Sequence, residues 1–272
     1  SAAITTQPST TVQNLCQSGT ATALSVTATG TTVTYQWYSN ISNSNSGGTL
    51  IASATSASYT PSTAVAGTLY YYCVATASCG VPATSNVSGA INVTSIPATP
   101  TGTINVSANP SCGVATLSYS APSATTYWQT ISGGTSTAFQ TTTPLNSLAA
   151  AGTYTRYVRE LSGTCWSPEI SITFTVVAPV AITTQPPNQV ITDGSNTTFT
   201  VTATGTTPTY QWQVDTTGTG TSFVDLSNGA PYSTVTTNIL NITAAPLTMN
   251  GYLYRCIVNG ATPCGNVTSN SG

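Results

Sequence analysis

The chain has 272 residues, of which three are cationic, five acidic and none histidine, for a net charge of −2. Without His or Lys there is no Ser-His-Asp triad, imidazole base, histidine metal site, Schiff-base lysine or P-loop. Arg156, Arg159 and Arg255 are too few to follow a phosphate backbone, which excludes nucleic acid, and no apolar run approaches the roughly 20 residues that span a bilayer.

Low charge here does not mean disorder. Fourteen Tyr, four Trp and abundant Val, Ile and Thr are β-formers, with 22 Gly and 16 Pro as punctuation. In chain order, Ala3-Ile-Thr-Thr-Gln-Pro8 reads as a first strand. Leu24, Val26 and Ala28 then alternate with Ser25, Thr27 and Thr29, the period of a strand with one buried face. Tyr35 and Trp37 alternate around Gln36 on the next strand. A run through Tyr70, Tyr71 and Tyr72 follows, and Val87 to Val93 reads as a closing strand.

The prolines of Ile96-Pro97-Ala98-Thr99-Pro100 mark a boundary. Beyond it come Cys112-Gly113, Leu117-Ser-Tyr119, Tyr127-Trp128-Gln129, Gly152 to Val158, Cys165-Trp166 and a strand from Ile170 to Val177, closed by Ala178-Pro179. The opening then returns. Ala181 to Pro186 repeats residues 3–8 letter for letter, and Val201 to Trp212 repeats Val26 to Trp37 with Pro208 in place of Val33. Arg255-Cys256-Ile257 resembles Tyr72-Cys73-Val74, and Thr268-Ser269-Asn270 repeats Thr84-Ser85-Asn86.

Residues 1–97, 98–178 and 179–272 therefore read as three modules, the middle one divergent, each the size of one immunoglobulin-type sandwich. The expected fold is all-β: three tandem immunoglobulin-like β-sandwiches, with short proline-bearing linkers that predict a rod. Trp37, Trp128 and Trp212 belong in the three cores, since a Trp inside an alternating strand is usually packed.

The stretches AITTQP, YQWYSN with SNSGGTLI and SYTPST…AGTLYYYCV, and YWQT…GTST…GTYTRYVRE…GTCWS resemble the tandem immunoglobulin-like repeats of large secreted and cell-surface proteins of Bacteroidota, adhesins and surface filaments among them. The resemblance covers nearly the whole chain. It implies export to the cell surface and carries no catalytic residues over.

The third module stops shortly after Asn270, without a counterpart of Val87 to Val93. Its last strand is expected from a continuing chain or, by strand donation, from a neighbouring subunit. The partners expected are thus further copies of the same or similar immunoglobulin-like domains. The absence of an initiator Met and a leader reads as a mature chain or a segment of a longer one.

Seven cysteines suggest an oxidising compartment. Repeat position suggests Cys16–Cys79 and Cys112–Cys165, each within one module. Cys256–Cys264 is the local option in the third module, where Val190 and Ile191 stand in the region of the early cysteine. Cys73 is left as a buried free thiol. Cys73–Cys79, with Cys16 free, is the rival pairing.

Other chemistry reads weakly. Glu160 and Glu169 flank the Cys165 loop but lack further acids, and Asp215 and Asp225 bracket a Gly/Thr-rich loop without EF-hand spacing. Seven Asn-x-Ser/Thr triplets match chance in so Thr-rich a chain, and Thr-x-Thr arrays suit the outward positions of twisted strands better than an ice face. No catalytic residue, cofactor or metal ligand is expected. The leading expectation is a non-catalytic structural or adhesive segment of an extracellular fibre. The second is a glycan- or surface-binding module, for which Trp166 and the Tyr70–Tyr72 run are the candidate exposed aromatics.

Overall fold

The computed structural model describes residues 1–148 and 150–272. β-strands make up almost all of its regular structure, and Leu247–Met249, a single 3-10 turn, is the one helical element among the described residues. No helix of those residues is long and apolar enough to cross a membrane.

Cα packing divides the chain into two compact units. The first holds Ser1–Pro100 with Thr125–Tyr127 and Arg159–Ile170; the second holds Thr101–Ala124, Trp128–Val158 and Ser171–Gly272.

In the first unit a sheet runs in the order Gln13–Cys16, Ile91–Thr94, Gly67–Thr76, Thr34–Asn40, Thr49–Leu50, with Ala83–Thr84 also paired to Gly67–Thr76. Gln13–Cys16 and Ile91–Thr94 are parallel, so the chain leaves and re-enters this edge in the same direction. The opposing face is built from Ala3–Thr6 on Thr27–Thr29 and Leu24–Ser25 on Ser58–Tyr59. Leu24, Val26, Trp37, Tyr71, Cys73, Ile91 and Val93 form the core between them.

The next sandwich repeats the plan. One sheet orders Ile104–Val106, Ala115–Tyr119, Leu145–Leu148; the other orders Ser111–Cys112, Ile170–Val177, Gly152–Ser162, Thr126–Gln129, again with a parallel outer pair. The last sandwich sets Ser195–Thr200, Ile239–Ala245 and Tyr232–Ser233, with Ala181–Thr184 on Thr202–Thr204, against Val224–Asp225, Thr209–Asp215, Leu253–Asn259, Asn266–Thr268. Among the described residues it has no counterpart of the parallel outer pair. These are immunoglobulin-like β-sandwiches in series.

The letter-for-letter repeats have identifiable work. Trp37 and Trp212 are wholly buried, and each indole N–H donates to a backbone carbonyl, Ser56 and Thr237 respectively, at 2.9 Å. Gln36 and Gln211 beside them each donate through Nε2 to two carbonyls, those of Trp37 and Ile51 or of Trp212 and Leu226. A buried polar atom left unpaired is costly, so Tyr-Gln-Trp recurs as one hydrogen-bonded unit. Trp128 is 2% exposed, with its indole 3.4 Å from the Thr143 carbonyl.

A second hydrogen-bonded unit ties the residue after the first strand to the Thr-Ser-Asn triplet. The Cys73 and Cys256 amides donate to Ser85 Oγ and Ser269 Oγ, which in turn donate to the Asn86 and Asn270 carbonyls. The Asn86 and Asn270 amides then donate to Gln7 Oε1 and Gln185 Oε1, both at 2.8 Å. The Gln of Ala-Ile-Thr-Thr-Gln-Pro and the Thr-Ser-Asn triplet are thus two ends of one bridge.

Candidate functional site: disulfide-closed joints and an open edge

The cysteines depart from the expected pairing. Cys16 bonds Cys165 and Cys112 bonds Cys264, with Cα separations of 5.5 and 5.2 Å; Cys73, Cys79 and Cys256 are free thiols. Neither Cys16–Cys79, Cys112–Cys165, Cys256–Cys264 nor Cys73–Cys79 forms.

The reason is the direction of the edge strand. Gln13–Cys16 runs parallel to Ile91–Thr94 and places Cys16 beside Thr94, at the sandwich's exit. Cys79 lies at the other end, in a hairpin whose Gly80 comes so close to Ser1 that an added Cβ would sit 2.7 Å from the Ser1 Cα. A disulfide needs Cα atoms roughly 4.4–6.8 Å apart, so two cysteines at opposite poles cannot meet.

Each exit cysteine is met instead by a hairpin cysteine from the sandwich that follows. Cys165, 1% exposed, ends the short hairpin Cys165–Trp166 on Gly152–Ser162, with its sulfur 4.0 Å from the Thr94 carbonyl oxygen. Gly163, at φ +59, sets that turn against the Thr94 side chain. At the second joint Cys112 is the register partner of Val177, and the Cys264 sulfur lies 3.8 Å from the Val177 carbonyl oxygen. Gly205, at φ +129, packs on Val180, where an added Cβ would stand 2.9 Å from its Cα. Thr206 and Ala178 exchange two hydrogen bonds across the same connection. Both joints therefore share one geometry, and sequence spacing alone had concealed it.

The remaining candidates are structural. Cys73 and Cys256 are wholly buried opposite Trp37 and Trp212, and burial pushes each thiol up to about 11. Trp166 is half-buried, edge-on to Tyr127 at 5.6 Å and under the Arg159 guanidinium at 5.7 Å. Tyr71 and Tyr72 are buried and Tyr70 is half-buried.

The acids do not converge. Asp215 is fully buried, and its carboxylate accepts from the Thr217 hydroxyl and the backbone amides of Thr217, Gly220, Thr221 and Ser222. The Thr217 hydroxyl leads these bonds in holding the carboxyl well below the usual carboxylate range, against the opposing effect of burial. Asp225 instead accepts from Gln213, which accepts from Arg255. Glu160 takes a 3.5 Å bond from Thr125. Among the described residues no three His, Cys, Asp or Glu cluster as metal ligands.

The last sandwich carries a groove of about 240 Å³ lined by Ile191, Phe199, Ile242, Met249, Tyr252 and Tyr254 among others. Its two rims are Gln189–Thr192 and Asn250–Tyr252. The first rim precedes Ser195–Thr200 as Gln13–Cys16 precedes Leu24–Ser25. Counting back from the paired positions Cys73 and Cys256 aligns the second rim with Gly67–Leu69. In the first sandwich the strand Ile91–Thr94 fills this place, with Ile91 and Val93 buried.

No protein-family model matches the chain, and no curated protein matches it. Its fold is similar to solved structures at low identity. The N-terminal eight Ig domains of Down Syndrome Cell Adhesion Molecule match at 15% identity and TM-score 0.48, over 98% of this chain and 36% of that one. Titin domains I67–I69 match at 14% and 0.40, over 98% and 96%. The insect immune protein hemolin matches at 12% and 0.37, over 98% and 74%. The chain spans about a third of the Down Syndrome Cell Adhesion Molecule fragment.

Proposed function

We propose that this chain is a non-catalytic, load-bearing segment of an extracellular bacterial fibre or long surface adhesin. In this reading it consists of three immunoglobulin-like modules, residues 1–97, 98–178 and 179–272, exported to a cell surface. The observation that carries the reading is where the covalent bonds lie. Both disulfides run from the exit of one sandwich to a hairpin of the next, with sequence separations of 149 and 152. A crosslink inside a domain resists unfolding of that domain, whereas a crosslink at a joint also keeps neighbours from separating under tension. The Bacteroidota resemblance of the repeats supports the surface setting.

The partners in this reading are further immunoglobulin-like modules. The groove between Gln189–Thr192 and Asn250–Tyr252 receives a strand with apolar residues at alternate positions, as Ile91 and Val93 are. Electron microscopy of native material tests the whole. A continuous filament of sandwich-sized beads is expected, and isolated particles overturn it.

The glycan-binding alternative rests on Trp166, and its packing against Tyr127 and Arg159 leaves little open ring face. A glycan-array signal lost on Trp166→Ala would favour that alternative over the scaffold.

A further inference from the structure

The two joints obey one rule: the cysteine ending the second strand of a sandwich bonds the hairpin cysteine of the sandwich after it. The first sandwich carries a hairpin cysteine as well, Cys79, and it is exposed and unbonded. Its place in the repeat matches that of Cys264. Gly30 and Gly205 occupy the same place in the repeated Val-Thr-Ala-Thr-Gly run, and both have positive φ, +142 and +129. An added Cβ at Gly30 would lie 3.4 Å from the Ser1 carbonyl oxygen, and one at Gly205 3.0 Å from that of Pro179. Gly80 closes on Ser1 beside Cys79. The glycine contact at the second joint thus recurs at the first sandwich, beside a hairpin cysteine in the same place in the repeat.

We infer that Cys79 is a crosslinking site, resting on the proposed fibre role. Its partner is a cysteine that ends the second strand of another immunoglobulin-like module and lies in register with the end of that module's last strand, as Cys16 and Cys112 do. A second copy of this chain does not supply that cysteine from its last sandwich, because no cysteine stands between Ala181 and Thr200, and Val190 and Ile191 occupy the region of Cys16 there. The partner is therefore a module different from the three present, in the same polypeptide or another.

The bond forms by thiol–disulfide exchange. A small-molecule disulfide of the oxidising compartment first reacts with the partner thiol, giving a mixed disulfide and releasing one small thiol. The Cys79 thiolate then attacks the partner sulfur. The protein–protein S–S bond forms and the second small thiol leaves, taking up the proton that Cys79 lost. Two protein thiols are oxidised and one small disulfide is reduced to two thiols.

Native surface material, alkylated with N-ethylmaleimide before and after reduction and digested with pepsin, tests the site. Cys79 is expected to resist labelling until reduction, and its peptide to appear joined to one cysteine peptide from outside these 272 residues. Cys79→Ser removes that linked pair and leaves Cys16–Cys165 and Cys112–Cys264 intact. A drop in mass on reducing gels places the partner on another chain; an unchanged mass places it on the same one. Labelling of Cys79 without reduction, or its appearance only as a small-thiol adduct or joined to Cys73 or Cys256, overturns the inference. A linked Cys79 in material that images as isolated particles overturns the fibre and keeps the crosslink.

Discussion

At the level of single residues, two hydroxyls carry more than their size suggests. Ser85 is wholly buried and supplies the acceptor for the Cys73 amide; Ser269 does the same for Cys256. Alanine at either leaves a buried N–H without a partner, which costs about 1–3 kcal/mol. Urea unfolding followed by tryptophan fluorescence should show that loss for Ser85→Ala and Ser269→Ala, and Ser88→Ala should fall with them because its hydroxyl serves the Tyr71 amide. The Thr-Ser-Asn repeat was visible in the sequence, but its meaning was not, because a serine facing inward has no signature in an alternating pattern already full of serine.

Asp215 offers a sign-definite pH test. Its carboxyl titrates well below the ordinary 3.8 when folded, so the charged form is favoured by folding. The stability it contributes is present above that ordinary value and is lost as pH falls through it toward the lowered one. Wild type should therefore lose stability on acidification below 3.8, more steeply than Asp215→Asn, so that the gap between the two is widest near neutral pH and narrows as pH falls. Equal slopes for the two proteins would contradict the loop's assigned role. Cys73 and Cys256, raised to about 11 by burial, should stay unlabelled by iodoacetamide in folded protein at mildly alkaline pH, whereas Cys79 in the isolated chain labels at once.

Among strands and hairpins, the alternating runs gave away most of the architecture. Leu24, Val26 and Trp37 are buried, and Trp37 faces Cys73 across the sheet as Trp212 faces Cys256. Disulfide pairing was not legible, since which pole a cysteine occupies depends on whether its strand runs parallel or antiparallel to its neighbour. Parallel pairing is a long-range property that no local pattern encodes. Closing a loop of 149 residues is worth at most about 5 kcal/mol in the chain-entropy model, so Cys165→Ser should lower the urea midpoint of the first joint clearly. A peptide of residues 88–94 added in excess should protect amides of the two rims, Gln189–Thr192 and Asn250–Tyr252, from hydrogen exchange if the groove accepts a strand. The same peptide with Ile91 and Val93 changed to Ser should not.

For the chain as a whole, internal repetition is the most informative signal in the sequence, and it discloses the series of sandwiches. It was silent on the joints because they join unlike parts of neighbouring repeats: a strand end in one, a hairpin tip in the next. Comparison between repeats finds what is the same in each, not what one copy hands to another.

The overlap of the two long crosslinked loops has a practical outcome for a chain exposed to proteases. Any single peptide bond cut between Cys16 and Cys264 falls inside the span 16–165, the span 112–264, or both. One nick therefore releases nothing: the severed pieces stay on the same molecule until a reductant arrives or a second cut falls in the right place.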